Sequence, residues 1–588
     1  MSDLLEQDPT APAPIPAAAA SRRSAFARRV LLDALFLGGL ADALLHDGFG
    51  LGLVVWMIVF AATLVYLARA RGQDLSKEQI AWLGIAIFFA ACLAWRDSPA
   101  LWFYDFLAML AALGILGATL SRSSAIRSIL GQRVRDLAQA AGATVNHVAS
   151  GLVRLVFQDS TLAGLTRSWR TGRAGAVVRA SLMALPLLVV FGLLFGAADP
   201  LFEKLLSLPT LNFDEIASHL AIAGFFTWVV GGWLRGALLD NKALRRLPDG
   251  VSFTLGTLDV TVMLGGLVAL FALFVGVQVS WLFGGEGLVR STTGLGYAQY
   301  ARHGFFELVW VSLLVLPVVL ATHAAIPVRD LTAQRRHRQL ALALLALVGG
   351  VMASALGRMA LYVNYYGMST DRLFASVFMG WLAIVFLWLA FTVLRGRAHD
   401  FATGMAITGF ATLAALNFAN PDAVVARVNV RRAAHAVSLA DSIGSSSAKQ
   451  GPPPAPIDYD YLTRRLGGDA AGNVVGALVA PPVATNQSTA REVEVRERCY
   501  AVKRILERWG SRAAGANRDR ETDWRLWEAG DWRAREVVRS HETALRSVTC
   551  WDSGGEAPFG NREQRPPRPG EQAYVAPPST LSSGGGRR

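Results

Sequence analysis

Cysteine is almost missing from this chain: three among 588 residues, at positions 92, 499 and 550. Three thiols cannot make a disulfide scaffold, and no CxxC pair offers a thiolate metal or redox centre. Charge is scarce too, 17% of residues against about 25% in a soluble domain. No glycine-rich phosphate loop, paired-glycine dinucleotide motif or GxSxG elbow occurs. His541-Glu542 opens like a zinc-protease motif, but Leu545 stands where the second histidine is required. These absences argue against an ATP-driven pump or a soluble-type hydrolase, and neither a cofactor nor a metal is expected. The formal charge of +13 comes without a groove-reading motif, so nucleic acid is not an expected partner.

Long apolar runs are what the chain has instead. Just over half of its residues are hydrophobic, and a helix needs about 20 apolar residues to cross a bilayer. Candidate spans fall near 30–46, 50–68, 79–95, 99–120, 177–197, 218–238, 256–284, 304–326, 339–357, 373–394 and 401–419. The first is the weakest, being short and carrying Asp33 and Asp42. Arginine- and lysine-rich segments alternate with pairs of spans: Arg22–Arg29, Arg69–Lys77, Arg122–Arg173, Arg235–Arg246, Arg329–Arg338 and Arg395–Arg397. Short basic loops stay in the cytoplasm. The expectation is an all-α polytopic bundle of about 11 spans, N-terminus inside and C-terminus outside, in a bacterial inner membrane. The basic loops suit anionic lipid headgroups.

The remaining organisation follows from composition. Residues 1–25 read as a disordered cytoplasmic arm, and 26–420 as the bundle. Within it, 121–176 carries apolar residues at three- and four-residue spacing, an amphipathic segment suited either to the membrane surface or to packing on the bundle. Residues 421–553 form a polar, mostly helical extracytoplasmic segment with a proline-rich linker at 445–456, whose own core looks thin. A disordered tail follows at 554–588. Cys499 and Cys550 both fall outside the membrane, where a disulfide between them is possible. Gly232/Gly236 and Gly350/Ser354 have the four-residue spacing of close helix contacts.

Several stretches resemble a known family: Thr292–Leu308 (TTGLGYAQYARHGFFEL), Gly357–Leu373 (GRMALYVNYYGMSTDRL), Asn417–Arg432 (NFANPDAVVARVNVRR), Ile457–Leu478 (IDYDYLTRRLGGDAAGNVVGAL) and, more weakly, Ala198–Leu205 (ADPLFEKL). They are similar to a bacterial integral-membrane family of unknown function, domain of unknown function 4173. The ending departs from its pattern at Gly472 and Val475. The resemblance implies a membrane protein and carries no activity or site residues.

Polar residues of the matching stretches share the outer face. Asp199, Arg302, Glu307, Arg358, Tyr362, Tyr366, Asp371 and Arg372 could line an anion-binding cavity, since arginine grips phosphate or carboxylate in a bidentate manner and tyrosines wall it. The alternative is structural: ion pairs of the type Arg302–Glu307 and Arg358–Asp371, with tyrosines in the interfacial belt. Asp42 and Asp105 could serve a cation or proton path or merely cap spans, and His219 and His323 read as isolated structural histidines. Three functions remain open: a non-enzymatic scaffold, sensor or regulatory factor of the envelope; a secondary transporter of a small anion or lipid phosphate; and, less favoured, an enzyme acting on a lipid-linked substrate.

Overall fold

The protein is described by a computed structural model, covering residues 17–121, 134–159, 213–240, 255–293, 305–327, 329–397, 400–443, 457–480, 488–512 and 521–548. Among these residues there are helices and turns and no strand. Nine described helices are long and apolar enough to cross a membrane. The chain is a multi-pass helical membrane protein.

The helices fall into three packed groups. The first comprises α1 (Ala17–Leu45), α2 (Leu51–Ala70), α3 (Lys77–Trp95), α4 (Pro99–Leu120), α5 (Val134–Arg154) and α6 (Phe213–Leu238). The second comprises α7 (Thr257–Thr293), α8 (Phe305–Ala325), α9 (Leu331–Tyr366) and α10 (Thr370–Phe391). Helix α11 (Phe401–Ala419) bridges them: Phe401 is buried in the second core, while Ala406, Phe410 and Leu413 pack on the first. Outward-facing apolar residues such as Leu258, Val262, Leu270 and Leu273 of α7 stay exposed, the surface a lipid-facing helix presents.

Local signals set the ends. Ser76 and Gln79 form a capping box that starts α3, and Pro99 sits in the first turn of α4. Asp330 caps α9, which stops at Gly367 with φ +85°. Asn420, at φ +57°, ends α11, and Pro421 begins the next helix.

Two expectations change. The first helix begins at Ala17, within the arm assigned to disorder at 1–25, and the apolar run at 30–46 is its second half. It is not among the nine membrane-length helices, because its charges dilute its apolar content; it is held as a core helix, with Ala27, Val30, Ala34, Leu37 and Ala41 buried. A Cβ on Gly38 would collide with the Thr227 hydroxyl of α6, so glycine permits the α1–α6 contact. The run at 177–197 lies outside the described residues.

The part of 121–176 that is described packs on the bundle. Gly151 of α5 meets Gly232 of α6, with room for a Cβ only 2.7 Å from the Gly232 backbone, and His147 fills the space beside Gly236. Asp159, just beyond α5, accepts from Arg235 at 2.6 Å and Arg23 at 3.2 Å. Gly350 and Ser354 face α7, at Val275 and Gln278.

The third group lies beyond Asn420: α12 (Pro421–Ile443), α13 (Tyr459–Arg464), α14 (Ala471–Val479), α15 (Ser488–Trp509), α16 (Ala529–Ser540) and α17 (Glu542–Arg546). It has a core of its own, contrary to the thin one expected: Tyr459, Leu462, Leu466, Val474, Val475, Leu478, Ile505, Trp509, Val538 and Leu545 are buried together. Trp524, Trp527 and Trp532 remain exposed.

Candidate functional site

Two arrangements of polar side chains stand out on the face where the C-terminal domain sits. The first is a buried clamp. Trp95 ends α3 and Ser98 precedes α4, leaving Arg96, Asp97 and Ser98 as a tight turn in which all three are buried. The Gly467-Gly468-Asp469 turn between α13 and α14 seats on it. Asp469 accepts from the Asp97 amide at 3.1 Å, Arg96 at 3.4 Å, Arg533 at 3.1 Å and Asn420 at 3.3 Å. Asp97 in return accepts from the Gly468 amide at 2.6 Å and from Arg508 at 3.1 Å. Asp422 accepts from the Ser98 hydroxyl at 3.0 Å and the Gly467 amide at 2.8 Å.

Glycine is obligatory here. A Cβ on Gly467 would fall on the Asp97 carbonyl, and one on Gly530 would lie 2.5 Å from the Asp97 amide. Burial raises the Asp469 carboxyl above its usual range and lowers Arg96 below its own; the attraction between them opposes both shifts. Burial also pushes Asp422 up to about 6. Two more contacts extend the seat. Arg525 bonds Asp47 and the Ala43 carbonyl, each at 2.7 Å, and the Leu51 amide donates to the Trp527 carbonyl at 3.1 Å. On the other bundle, Tyr461 Oη accepts from the Thr370 amide at 2.7 Å. The turns after α1, α3, α9 and α11 therefore lie on one face beneath the C-terminal domain.

The second arrangement holds part of the predicted outer cluster. Arg358, Tyr362 and Tyr366 recur one turn apart on α9. Arg358 donates to Gln278 Oε1 at 2.5 Å, an acceptor shared with Ser354 at 3.1 Å. The Arg372 guanidinium stacks 4.2 Å from the centre of the Tyr362 ring, which lies 4.9 Å from that of Tyr366. Arg372 also donates to the Gly367 carbonyl. Asn429 of α12 accepts from the Met368 amide at 2.8 Å and donates to its carbonyl at 2.7 Å. Arg432 lies beside this turn; burial lowers its pKa, and the positive charge of Arg372 lowers it further.

Thus Arg358, Tyr362, Tyr366 and Arg372 come together. Asp371 and Glu307 are exposed in the first turns of α10 and α8, and Asp199 and Arg302 lie outside the described residues. Arg432 and Asn429 were not singled out from sequence, although both stand in the Asn417–Arg432 stretch. Cys92 is free and buried, and Cys499 is disulfide-bonded; position 550 lies outside the described residues.

Among the histidines, His219 is not isolated: its Nδ1 lies 2.9 Å from both oxygens of Asp42, and its ring stacks on His46. His323 lies against His337, ring centres 5.4 Å apart. Asp105 accepts from Asn417 at 2.8 Å, with its second oxygen buried and unbonded.

Helices of membrane length, joined by turns on which a polar domain is seated, define a polytopic integral-membrane protein. The family model described as "Domain of unknown function (DUF4153)" matches residues 83–476. That is about two thirds of the chain, which belongs to this family. The unknown-function character suggested by the sequence motifs holds, but the family is 4153 and not 4173. The match takes in both sides of the clamp, Arg96–Ser98 and Gly467–Asp469. No curated protein and no solved structure matches the chain.

Proposed function

We propose that the protein is a non-enzymatic scaffold or sensor of the bacterial cell envelope, a multi-pass inner-membrane protein with its C-terminal domain on the extracytoplasmic side. The clamp carries this reading. The C-terminal domain is not tethered loosely but locked by buried charges to the 96–98 turn of the first bundle and by hydrogen bonds to the 367–370 turn of the second, so a load or ligand on the domain is transmitted to the membrane helices. The sidedness draws support from basic segments on the opposite ends of the helices and from the bonded state of Cys499, which suits an oxidising compartment. The partners implied are the lipid bilayer itself and anionic headgroups at the cytoplasmic loops.

The test compares a strain lacking the gene with strains carrying the wild type or Asp469→Ala, alongside anion flux in proteoliposomes. The scaffold reading expects Asp469→Ala to be inserted yet fail to restore the strain, and wild-type vesicles to show no flux above empty ones. Wild-type anion flux above that of empty vesicles refutes it.

A second reading, transport of a small anion or lipid phosphate, draws on one observation: Arg372 and Arg432 crowd each other beside a tyrosine wall, and an anion would relieve that repulsion. Mass spectrometry of molecules retained in mild detergent, comparing wild type with Arg358→Ala and Arg372→Ala, checks it. An anionic species lost only from the variants favours transport. Identical profiles leave the arginines as structural partners.

A further inference from the structure

At the outer ends of α1 and α6, Asp42, His46 and His219 converge although up to 177 residues separate them. His46 Nδ1 lies 3.3 Å from Asp42 Oδ1, and His219 Nδ1 lies 2.9 Å from each Asp42 oxygen. The two imidazoles stack with centroids 4.0 Å apart and planes within 19°. One ligand atom from each residue lies within 4.8 Å of the others.

We infer that these three residues form a binding site for a divalent transition-metal ion of the zinc type. The donor chemistry carries the inference. Two imidazole nitrogens and one carboxylate oxygen are the set that borderline divalent cations prefer over calcium or magnesium, which favour oxygen ligands throughout. Both rings direct the same nitrogen at one carboxylate, so a single ion near Asp42 reaches all three with small side-chain adjustments. Two stacked imidazolium rings would repel each other, whereas two neutral rings can share one cation.

The setting also fits. Asp42 and His46 are mostly shielded, while the His219 side chain is 44% exposed. That leaves an approach from solvent and a coordination position for water or a substrate atom. Asp214 and Glu215 occupy the first turn of α6, just before His219, and add negative charge to the approach. The ligand segment is held in place from its other side, because Arg525 bonds Asp47 and the Ala43 carbonyl. Asp42 and His46 fall outside the family match at 83–476, so the site is argued from this chain's own geometry. It stands independently of the scaffold reading.

The experiment uses the full chain in detergent, purified without a polyhistidine tag, with Zn²⁺ as the probe and Co²⁺ as its spectroscopic substitute. Wild type should retain one Zn²⁺ per chain and show the visible Co²⁺ bands of a nitrogen-ligated site. The His46→Ala/His219→Ala double variant should bind at least tenfold more weakly and lose those bands while keeping the wild-type thermal profile. Zn²⁺ uptake equal in wild type and a folded double variant overturns the inference. Should the double variant not fold, the wild-type spectrum decides: absence of nitrogen-ligated Co²⁺ bands overturns it equally.

Discussion

Asp469 is the residue on which most of the clamp depends, since it receives Arg96, Arg533, Asn420 and the Asp97 amide at once. Removing one member of a buried charge pair leaves the others desolvated and unpaired, typically at a cost of about 3–5 kcal/mol. Asp469→Ala is therefore expected to make the C-terminal domain susceptible to limited proteolysis at protease levels the wild type resists. Gly467→Ala should do the same by steric means.

Asp422 gives the clamp a pH dependence. Burial lifts its folded pKa to about 6, above the ordinary aspartate value of 3.8, so its contribution is fully present below pH 3.8 and is lost as pH rises through about 6. Asp469, also raised, acts in the same sense. Asp523 and Glu542, lowered by hydrogen bonds from Arg525 and Arg546, lose stability only in more acidic solution. Proteolytic release should accordingly be slower at pH 5.5 than at pH 7.5, and Asp422→Asn should flatten the difference. A wild type released faster at pH 5.5 contradicts the assignment.

At the scale of elements, the close α5–α6 contact depends on two glycines facing each other. Gly151→Leu forces side-chain volume against the Gly232 backbone, and overpacking of this kind costs about 1–3 kcal/mol. A lowered melting temperature with unchanged helix content is expected, whereas Gly142→Leu on the same helix, where a Cβ meets nothing within 4 Å, should not lower the melt, since leucine has the higher helix propensity. The helices themselves were legible in sequence, because a bilayer demands long apolar runs that one-dimensional reading detects. Gly232 and Gly236 were also legible as a contact, but the identity of α5 as their partner was not. Spacing reveals which face is small and says nothing of what approaches it. The N-terminal arm misled in the opposite direction: its composition, rich in alanine and proline, suggested disorder, yet the helix begins at Ala17.

For the whole molecule, the sharing of one face by the 46–50, 96–98, 367–369 and 420 turns agrees with the alternation of basic loops. Single cysteines test the absolute orientation. Trp524→Cys should react with a membrane-impermeant thiol reagent added outside intact spheroplasts, and Asp74→Cys only after permeabilisation; the reverse pattern inverts the protein. The candidate sites were far less legible than the membrane-length helices. Asp97 and Asp469 are 372 residues apart, and Asp42 and His219 are 177 apart, so no spacing rule connects them. What could be seen was that Gly467–Asp469 and Asn420–Asp422 stood inside motif-like stretches; their common target, the Arg96–Ser98 turn, carried no motif of its own. Arg358, Tyr362 and Tyr366 were visible because a single helix supplies all three.

The long sequence separation across the clamp also bears on how the protein is made. Arg96, Asp97 and Asp105 enter with the early helices, but their partners Asp469, Gly468, Arg508 and Asn417 emerge from the ribosome 312 to 411 residues later. Until then a newly inserted chain displays buried-type charges with nothing to satisfy them. Arrival of the C-terminal domain pairs these charges and removes that exposure.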